Sequence, residues 1–305
     1  MSTEYIHFTA EQKEAARQTD LVALLQNQGE HLKRSGKEYV WRDGSEKVTV
    51  RGNLWFHQYE RIGGDAVDFV RRFYNMDFPQ AVNFLLGNND GTIQRAEPVK
   101  REPPKPFTLP PKNDNMRRVY AYLLNRRGID REVLSAFVHK GMIYESADYH
   151  NAVFVGYDEH GVARHAHKRG TGSESTYKGN AESCDPRYSF HWTGTDNALY
   201  LFEAPIDMLS FISLHKENWR SHSYAAACCV GDQVLFQMLK ANPNIDTVCL
   251  CMDNDTAGQA ANKRISDKLF IQGIKHEILV PEFKDWNEDL LCDEQEETEC
   301  QTLQL

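Results

Sequence analysis

The chain has 305 residues, 41% of them hydrophobic and 26% charged, with a formal net charge of −9. That is ample for two or three globular domains. No apolar run approaches a membrane span and residues 1–20 lack the apolar core of a signal peptide, so the expected setting is cytoplasmic with no membrane partner. The seven cysteines include no CxxC pair, which excludes a zinc ribbon and a thioredoxin-like site. The acidity is local. Residues 282–299 hold nine acidic side chains against Lys284, a balance of −8, and the rest of the chain is nearly neutral.

Three pieces follow one another. Residues 1–88 open with helical patterning at Leu21, Leu24 and Leu25 and continue through alternating stretches at 37–40 and 47–56. They close with helices over 65–74 and 78–86, the first with Asp65 as N-cap. Residues 89–114 read as a linker, because six of the eleven prolines fall between Pro98 and Pro111; such a stretch is expected to be extended and partly disordered. Residues 115–195 begin with two helices over 116–138, broken at Arg127 and Gly128. A β-hairpin follows, with strands at 152–157 and 162–168, and then a polar, glycine-rich loop over 170–180. Basic residues cluster here in two groups: Arg117, Arg118, Arg126, Arg127 and Arg131, and then Arg164, Lys168, Arg169 and Lys178. Such clusters can track phosphates in an acidic protein, although a charge run is more often a solvated face.

From residue 196 to 290 the pattern alternates strand and helix: strands at 199–202, 223–230, 248–252 and 277–280, with helices at 206–214, 234–239 and 257–270. That is the signature of βαβ units and a mostly parallel sheet. In such sheets functional groups sit at the carboxyl ends of strands. Strand 199–202 runs into Glu203, with Asp207 one helical turn on; strand 248–252 runs into Asp253 and Asp255, with Gly258 opening the next helix. The last strand precedes Asp285, Glu288 and Asp289. Carboxylates gathered on one edge repel unless a cation lies between them, and hard oxygen ligands suit Mg²⁺ or Mn²⁺. An EF-hand is excluded, because counting from Asp253 its fifth and twelfth positions are Ala257 and Arg264. A lone DxD more often caps a helix, and Asp255 is well placed to do so. Residues 291–305 form an acidic tail.

The motif order resembles the Toprim family, the catalytic fold of bacterial primases, topoisomerases and some nucleases. LYLFEAPID at 199–207 resembles its glutamate motif, with Ala204 where many members have Gly. CLCMDNDTAGQAA at 249–261 resembles its DxD motif, and KDWNED at 284–289 the acidic turn of primase-like members. Upstream, YLLNRRGID at 122–130 is similar to the helical lead-in of bacterial primases. NAVFVGYDEHG at 151–161, with KRGTG at 168–172, is similar to their basic RNA-polymerase subdomain. WFHQYERIGGDAVDF at 55–69 resembles the end of the primase zinc-binding domain, but His57 and Glu60 stand where the family has cysteines, and no cysteine precedes Cys184. Zinc is therefore not expected. Trp41, Trp55, Phe56 and Tyr59 are available to fill the core in its place or to stack on single-stranded bases.

The resemblance implies an α/β Toprim domain preceded by an α+β primase-like subdomain and a small α+β domain, in a protein of a plasmid or conjugative element. It implies Mg²⁺-dependent phosphoryl transfer, foremost primer synthesis on single-stranded DNA from nucleoside triphosphates. Glu203, Asp253, Asp255 and Asp285 would bind metal, Glu203 also serving as general acid or base. Arg127, Arg164, Lys168, Arg169 and Lys178 would contact phosphates. A Toprim nuclease and a non-catalytic single-strand-binding replication adaptor remain open; the missing zinc ligands and the short stretch after residue 290 favour the adaptor. No GxxxxGK[ST] loop occurs, so unwinding would fall to a partner helicase.

Overall fold

A computed structural model describes residues 8–43, 46–60, 62–87, 105–228 and 231–293. The proline-rich stretch up to residue 104, the end of the expected 223–230 strand and the tail beyond Asp293 lie outside the described residues. The chain forms two compact units, one reaching to Pro103 and the other running from Pro104.

The first unit is a five-stranded antiparallel sheet in sequence order: Leu32–Ser35, Glu38–Asp43, Glu46–Arg51, Leu54–His57 and Gly63–Gly64. Four helices accompany it, Ala10–Arg17, Leu21–Asn27, Ala66–Phe73 and Phe78–Gly87. Asp20 and Asp65 cap two of them through their carboxylates, satisfying amides that the first turn leaves unpaired. Alternation along the strands turns Trp41, Val48, Val50 and Trp55 inward, onto Phe69 and Val70 of the third helix. The Trp41 and Phe69 rings lie 5.2 Å apart, as do those of Trp55 and Phe73. Both tryptophans are thus core, while Phe56 faces outward. His57 is buried and its Nδ1 accepts the Glu60 amide at 3.0 Å; the Glu60 carboxylate pairs with Arg72 at 2.8 Å. Aromatic packing occupies the interior of this unit.

The second unit holds two sheets. One is antiparallel, in the order Ile143–Glu145, Ala152–Tyr157, Ala163–Arg169, Lys178–Asn180. Residues 105–113 are extended against it, with Phe107 and Leu109 packed on Tyr144, Val153, Val155 and Ala166. The other runs His191–Trp192, Ser223–Ala226, Ala198–Phe202, Thr247–Cys251, Lys275–Ile278, parallel except for its first edge. The last strand begins two residues before the expected 277–280.

Period-two alternation gives the parallel sheet two apolar faces. Leu199, Leu201, Val248 and Leu250 meet helices Gln233–Ala241 and Thr256–Ile271 on one side. Phe202, Cys249 and Cys251 belong to the core on the other side, which also takes in helix Pro205–Leu214 and helix Arg131–His139. That second core runs from Val119 to Leu290, so the two sheets share one interior. The two helices expected over 116–138 are present: residues 117–126 are helical, with Ala121–Arg126 π-wound, and Arg131–His139 follows the break, capped by Asp130. The first helix ends at Arg127, and Gly128 adopts φ 65°, a left-handed conformation that glycine reaches at little cost.

Candidate active site

Register places the acidic residues. Phe202 pairs with Cys251 in neighbouring parallel strands, so Glu203 and Asp253 leave the same sheet edge one and two residues later. The Cys228 amide donates to the Glu203 carbonyl at 3.0 Å, extending the ladder past the last strand residue. The turn after Asp253 is tied to the third acidic segment. The Asn254 amide donates to the Lys284 carbonyl at 2.8 Å, its side chain to the Pro281 carbonyl at 3.2 Å, and Trp286 Nε1 to the Cys251 carbonyl at 3.0 Å.

The carboxylates feel one another. Burial pushes Asp253 up to about 7, and the charges of Glu203, Asp285 and Asp255 add to the rise while Lys178 opposes it. Glu203 is also raised, by burial first, with Lys178 and Lys284 lowering it and Asp255 and Asp285 raising it. Asp207, 7% exposed, is raised well above its ordinary value by burial and by Asp253, Asp285 and Glu203. Asp207 is thus a fifth member of the centre; its signal in the sequence was its place one turn after Glu203.

Some of these carboxylates also hold the backbone. Asp255 caps helix Thr256–Ile271, one oxygen accepting the amides of Ala257 and Gly258 at 2.9 and 2.8 Å. Asp285 does the same for Asn287 and Glu288, at 3.1 and 2.9 Å. Asp289 and Glu288 close the 282–289 turn on its own amides. Asp253 differs: its Oδ1 is buried with no hydrogen-bond partner. An orphaned carboxylate oxygen beside four other carboxylates is the donor chemistry of a hard divalent cation. Among the described residues, however, no three His, Cys, Asp or Glu side chains stand grouped as a ready-made ligand shell. The donors fit such an ion in kind, and they gather on one sheet edge without forming an assembled ligand shell.

Basic groups flank the centre selectively. Arg169 pairs in register with Lys178, and His167 with Asn180. Asn180 donates to the Cys228 carbonyl at 2.9 Å, which turns this face of the sheet toward the acidic edge. Burial, with the nearby positive charges of Lys178, Arg169 and Lys168, brings His167 down to about 4 despite its Asn180 partner, so it is neutral at pH 7. Tyr122 Oη accepts from both Arg127 Nε, at 3.0 Å, and Arg169 Nε, at 3.2 Å. Arg127 Nη1 also donates to the buried Asn287 at 2.9 Å, and Asn287 returns a bond to the Arg127 carbonyl and another to Ser210. Among the described residues neither guanidinium has a carboxylate within ion-pair distance. Two cations converging on one hydroxyl make a natural anion seat.

Lys168 and Arg164 do not join them. Lys168 shares its face with Val153 and Ala166, its Nζ lying 5.7 Å from the Tyr177 ring centroid. Arg164 sits at a β-bulge, paired with Asp158 at 2.7 Å. An anion held in this seat loses one charge-assisted bond in Arg169→Ala, so the variant is expected to bind labelled inorganic triphosphate about 10-fold more weakly. Lys168→Ala should change that affinity less than about threefold, and filter binding at two salt concentrations measures both. Sequence reasoning missed Tyr122 and Asn287, although both lie inside the quoted motifs; neither residue type advertises a positioning role.

The parallel sheet with carboxylates on its strand ends defines a Toprim-type α/β domain, and comparison agrees. Residues 200–290 match the model of the Toprim-like family, so the chain carries a Toprim-like domain, a type that binds divalent metal ions. Residues 121–196 match a family described as a protein of unknown function, DUF3991. An uncharacterized pXO2 protein of Bacillus anthracis is 26% identical over 274 residues, spanning 85% of this chain and 79% of that one. Among solved structures, the zinc-binding and RNA polymerase domains of the Aquifex aeolicus primase are similar at 15% identity and a TM-score of 0.41, covering 96% of this chain and 84% of that one. The primase fragment of the bacteriophage T7 primase-helicase is similar at 19% identity and a TM-score of 0.43, covering 59% of this chain and 73% of that one.

Proposed function

We propose that the chain is a metal-dependent nucleotidyltransferase that makes primers on single-stranded DNA. The observation that carries this reading is the juxtaposition of the acidic edge, centred on the orphaned Asp253 oxygen, with the Arg127 and Arg169 seat and Lys178. Asp253 and Asp255, assisted by Asp285, would hold Mg²⁺ or Mn²⁺, which when bound neutralises charge on the triphosphate and the attacked phosphorus and leaves Glu203 free of the ion. Arg127, Arg169 and Lys178 position phosphates without reading sequence. The 3′-hydroxyl of the growing strand attacks the α-phosphorus of an incoming nucleotide, pyrophosphate leaves, and Glu203 takes the hydroxyl proton. Its buried setting makes it a stronger base than an ordinary carboxylate. The pXO2 relative supports service to a plasmid.

The test is labelled-nucleotide incorporation on single-stranded DNA with Mg²⁺ or Mn²⁺, beside a folded Asp253→Ala/Asp255→Ala variant. Incorporation by wild type and its loss in the variant are expected. Metal-dependent cleavage of the template without incorporation would replace the reading with a nuclease. Neither activity, with binding intact, would replace it with an adaptor.

A further inference from the structure

The loop between strands Ile143–Glu145 and Ala152–Tyr157 carries a feature that the acidic centre does not use. Tyr149 and His150 both have positive φ, 61° and 52°. That conformation is uncommon outside glycine and costs on the order of 1–3 kcal/mol per residue, so two in succession need a structure that imposes them. The loop is braced throughout. The Ser146 amide donates to the Asn151 carbonyl at 2.9 Å, and the Asn151 amide returns to Ser146 Oγ at 3.0 Å. Ser146 Oγ donates to the Asp148 carbonyl at 2.5 Å, and the Ala147 amide to the Pro111 carbonyl at 2.8 Å. Thr171 Oγ1 donates to the His150 carbonyl at 2.7 Å, and His150 Nδ1 lies 2.7 Å from the buried Glu145 carboxylate.

What this bracing holds out is Tyr149, 89% exposed and the most exposed large apolar side chain among the described residues. A lone exposed tyrosine needs no explanation. A tyrosine presented by a strained, over-determined loop does, and its position supplies one. Ala152 pairs with Arg169 and Arg169 with Lys178, so the loop sits at the sheet end that carries the site-facing cations. Next to it, Arg126 Nη1 donates to the Gly172 carbonyl at 3.0 Å, one residue beyond the threonine that braces the loop.

We propose that Tyr149 is a stacking platform for a nucleobase of the single strand that enters the acidic centre, an inference that rests on the function proposed above. Every base has a π-face, so such a platform is indifferent to sequence, and a single aromatic contributes measurably to single-strand binding. Fixing the backbone that carries the ring beforehand removes part of the ordering cost of binding.

All five native tryptophans are 7% exposed or less, so Tyr149→Trp introduces the one exposed indole among the described residues. Its emission is titrated with a thymidine oligodeoxynucleotide, a uridine oligoribonucleotide and an abasic oligomer of equal length, while anisotropy of labelled strands reports binding. Quenching by a strand that bears bases and none by the abasic strand is expected; which of the two quenches identifies the strand type. Tyr149→Ala should bind the base-bearing strand about 10-fold more weakly, and Tyr149→Phe should match wild type. Binding without quenching, quenching by the abasic strand, or unchanged affinity in Tyr149→Ala would overturn the platform and leave the proposed polymerising centre standing. No binding of any strand by wild type would overturn both.

Discussion

Asp253→Asn is expected to abolish nucleotide incorporation and, in metal-free buffer at pH 8, to make the protein more stable than wild type. The first effect follows from removing the one carboxylate among the described residues whose buried oxygen has no protein partner. Losing charge stabilisation worth about 4 kcal/mol lowers the rate about a thousandfold. The second follows from linkage. Asp253 ionises near its ordinary 3.8 when the chain is unfolded and near 7 when it is folded, raised by burial and then by Glu203, Asp285 and Asp255. Between those values the folded state binds more protons, so this group's contribution is full below about pH 4, falls as the pH rises, and levels off above about 7. Asparagine does not titrate, so the gap in Tm between variant and wild type should open between pH 4 and 7 and stay open above. Mg²⁺ narrows the gap, because a ligand at a hundred times its Kd stabilises the wild type by about 2.7 kcal/mol, or about 5–10 °C for a unit of this size. Thermal melts across pH, with and without Mg²⁺, measure all of this. A variant that keeps incorporation, or a wild type that Mg²⁺ fails to stabilise at pH 8, would remove Asp253 from the centre.

The acidic edge was legible in the sequence because parallel strands are short apolar runs and their chemistry must follow where the run ends. Glu203, Asp253 and Asp255 each follow such a run, which puts them on the sheet edge, and the order of the motifs then singles them out. The basic flank was not legible in the same way. Lys168 and Arg169 are neighbours in sequence yet point to opposite faces. Which of them meets the acids depends on the bulge that shifts register between Gly156 and Tyr157. Strands Ile143–Glu145 and Lys178–Asn180 are three residues each, too short to show a period, and exist because the hairpin between them offers two open edges. Leu32–Ser35 is mostly polar and exposed, with Gly36 at φ 63° making its turn, so hydrophobic pattern had nothing to detect. The π-winding over Ala121–Arg126 has no propensity signal at all. It accompanies a tyrosine that gathers Arg126, Arg127 and Arg169 around its ring and hydroxyl, which fits the concentration of such turns at functional positions.

Gly258→Ala is expected to cost nearly as much activity as the loss of a carboxylate, although it removes no functional group. A Cβ at this position would lie 2.0 Å from the Asp253 carbonyl oxygen, 2.9 Å from its carbonyl carbon and 3.0 Å from its amide nitrogen. All three are backbone atoms, so no rotamer change relieves the clash. The helix start must move away from Asp253 or the Asp253 peptide must turn. Either movement disturbs the acidic edge at two points, because the Gly258 amide is one of the two that Asp255 caps. Forcing one methyl group into such a contact costs about 1–3 kcal/mol of stability, which a unit of this size survives. A misplacement on the order of 1 Å costs about a hundredfold in rate. The expected variant is therefore folded, melts a few degrees lower, binds single-stranded DNA through its untouched basic face, and incorporates nucleotide at about one hundredth of the wild-type rate. Gly87→Ala supplies the control, since a Cβ there meets nothing within 4 Å; it should leave the rate unchanged and, lying in a helix, should not lower Tm. Full activity in Gly258→Ala would mean that the loop from Asp253 to Asp255 need not hold its position for catalysis, and would favour a centre organised by Glu203 and Asp285 instead.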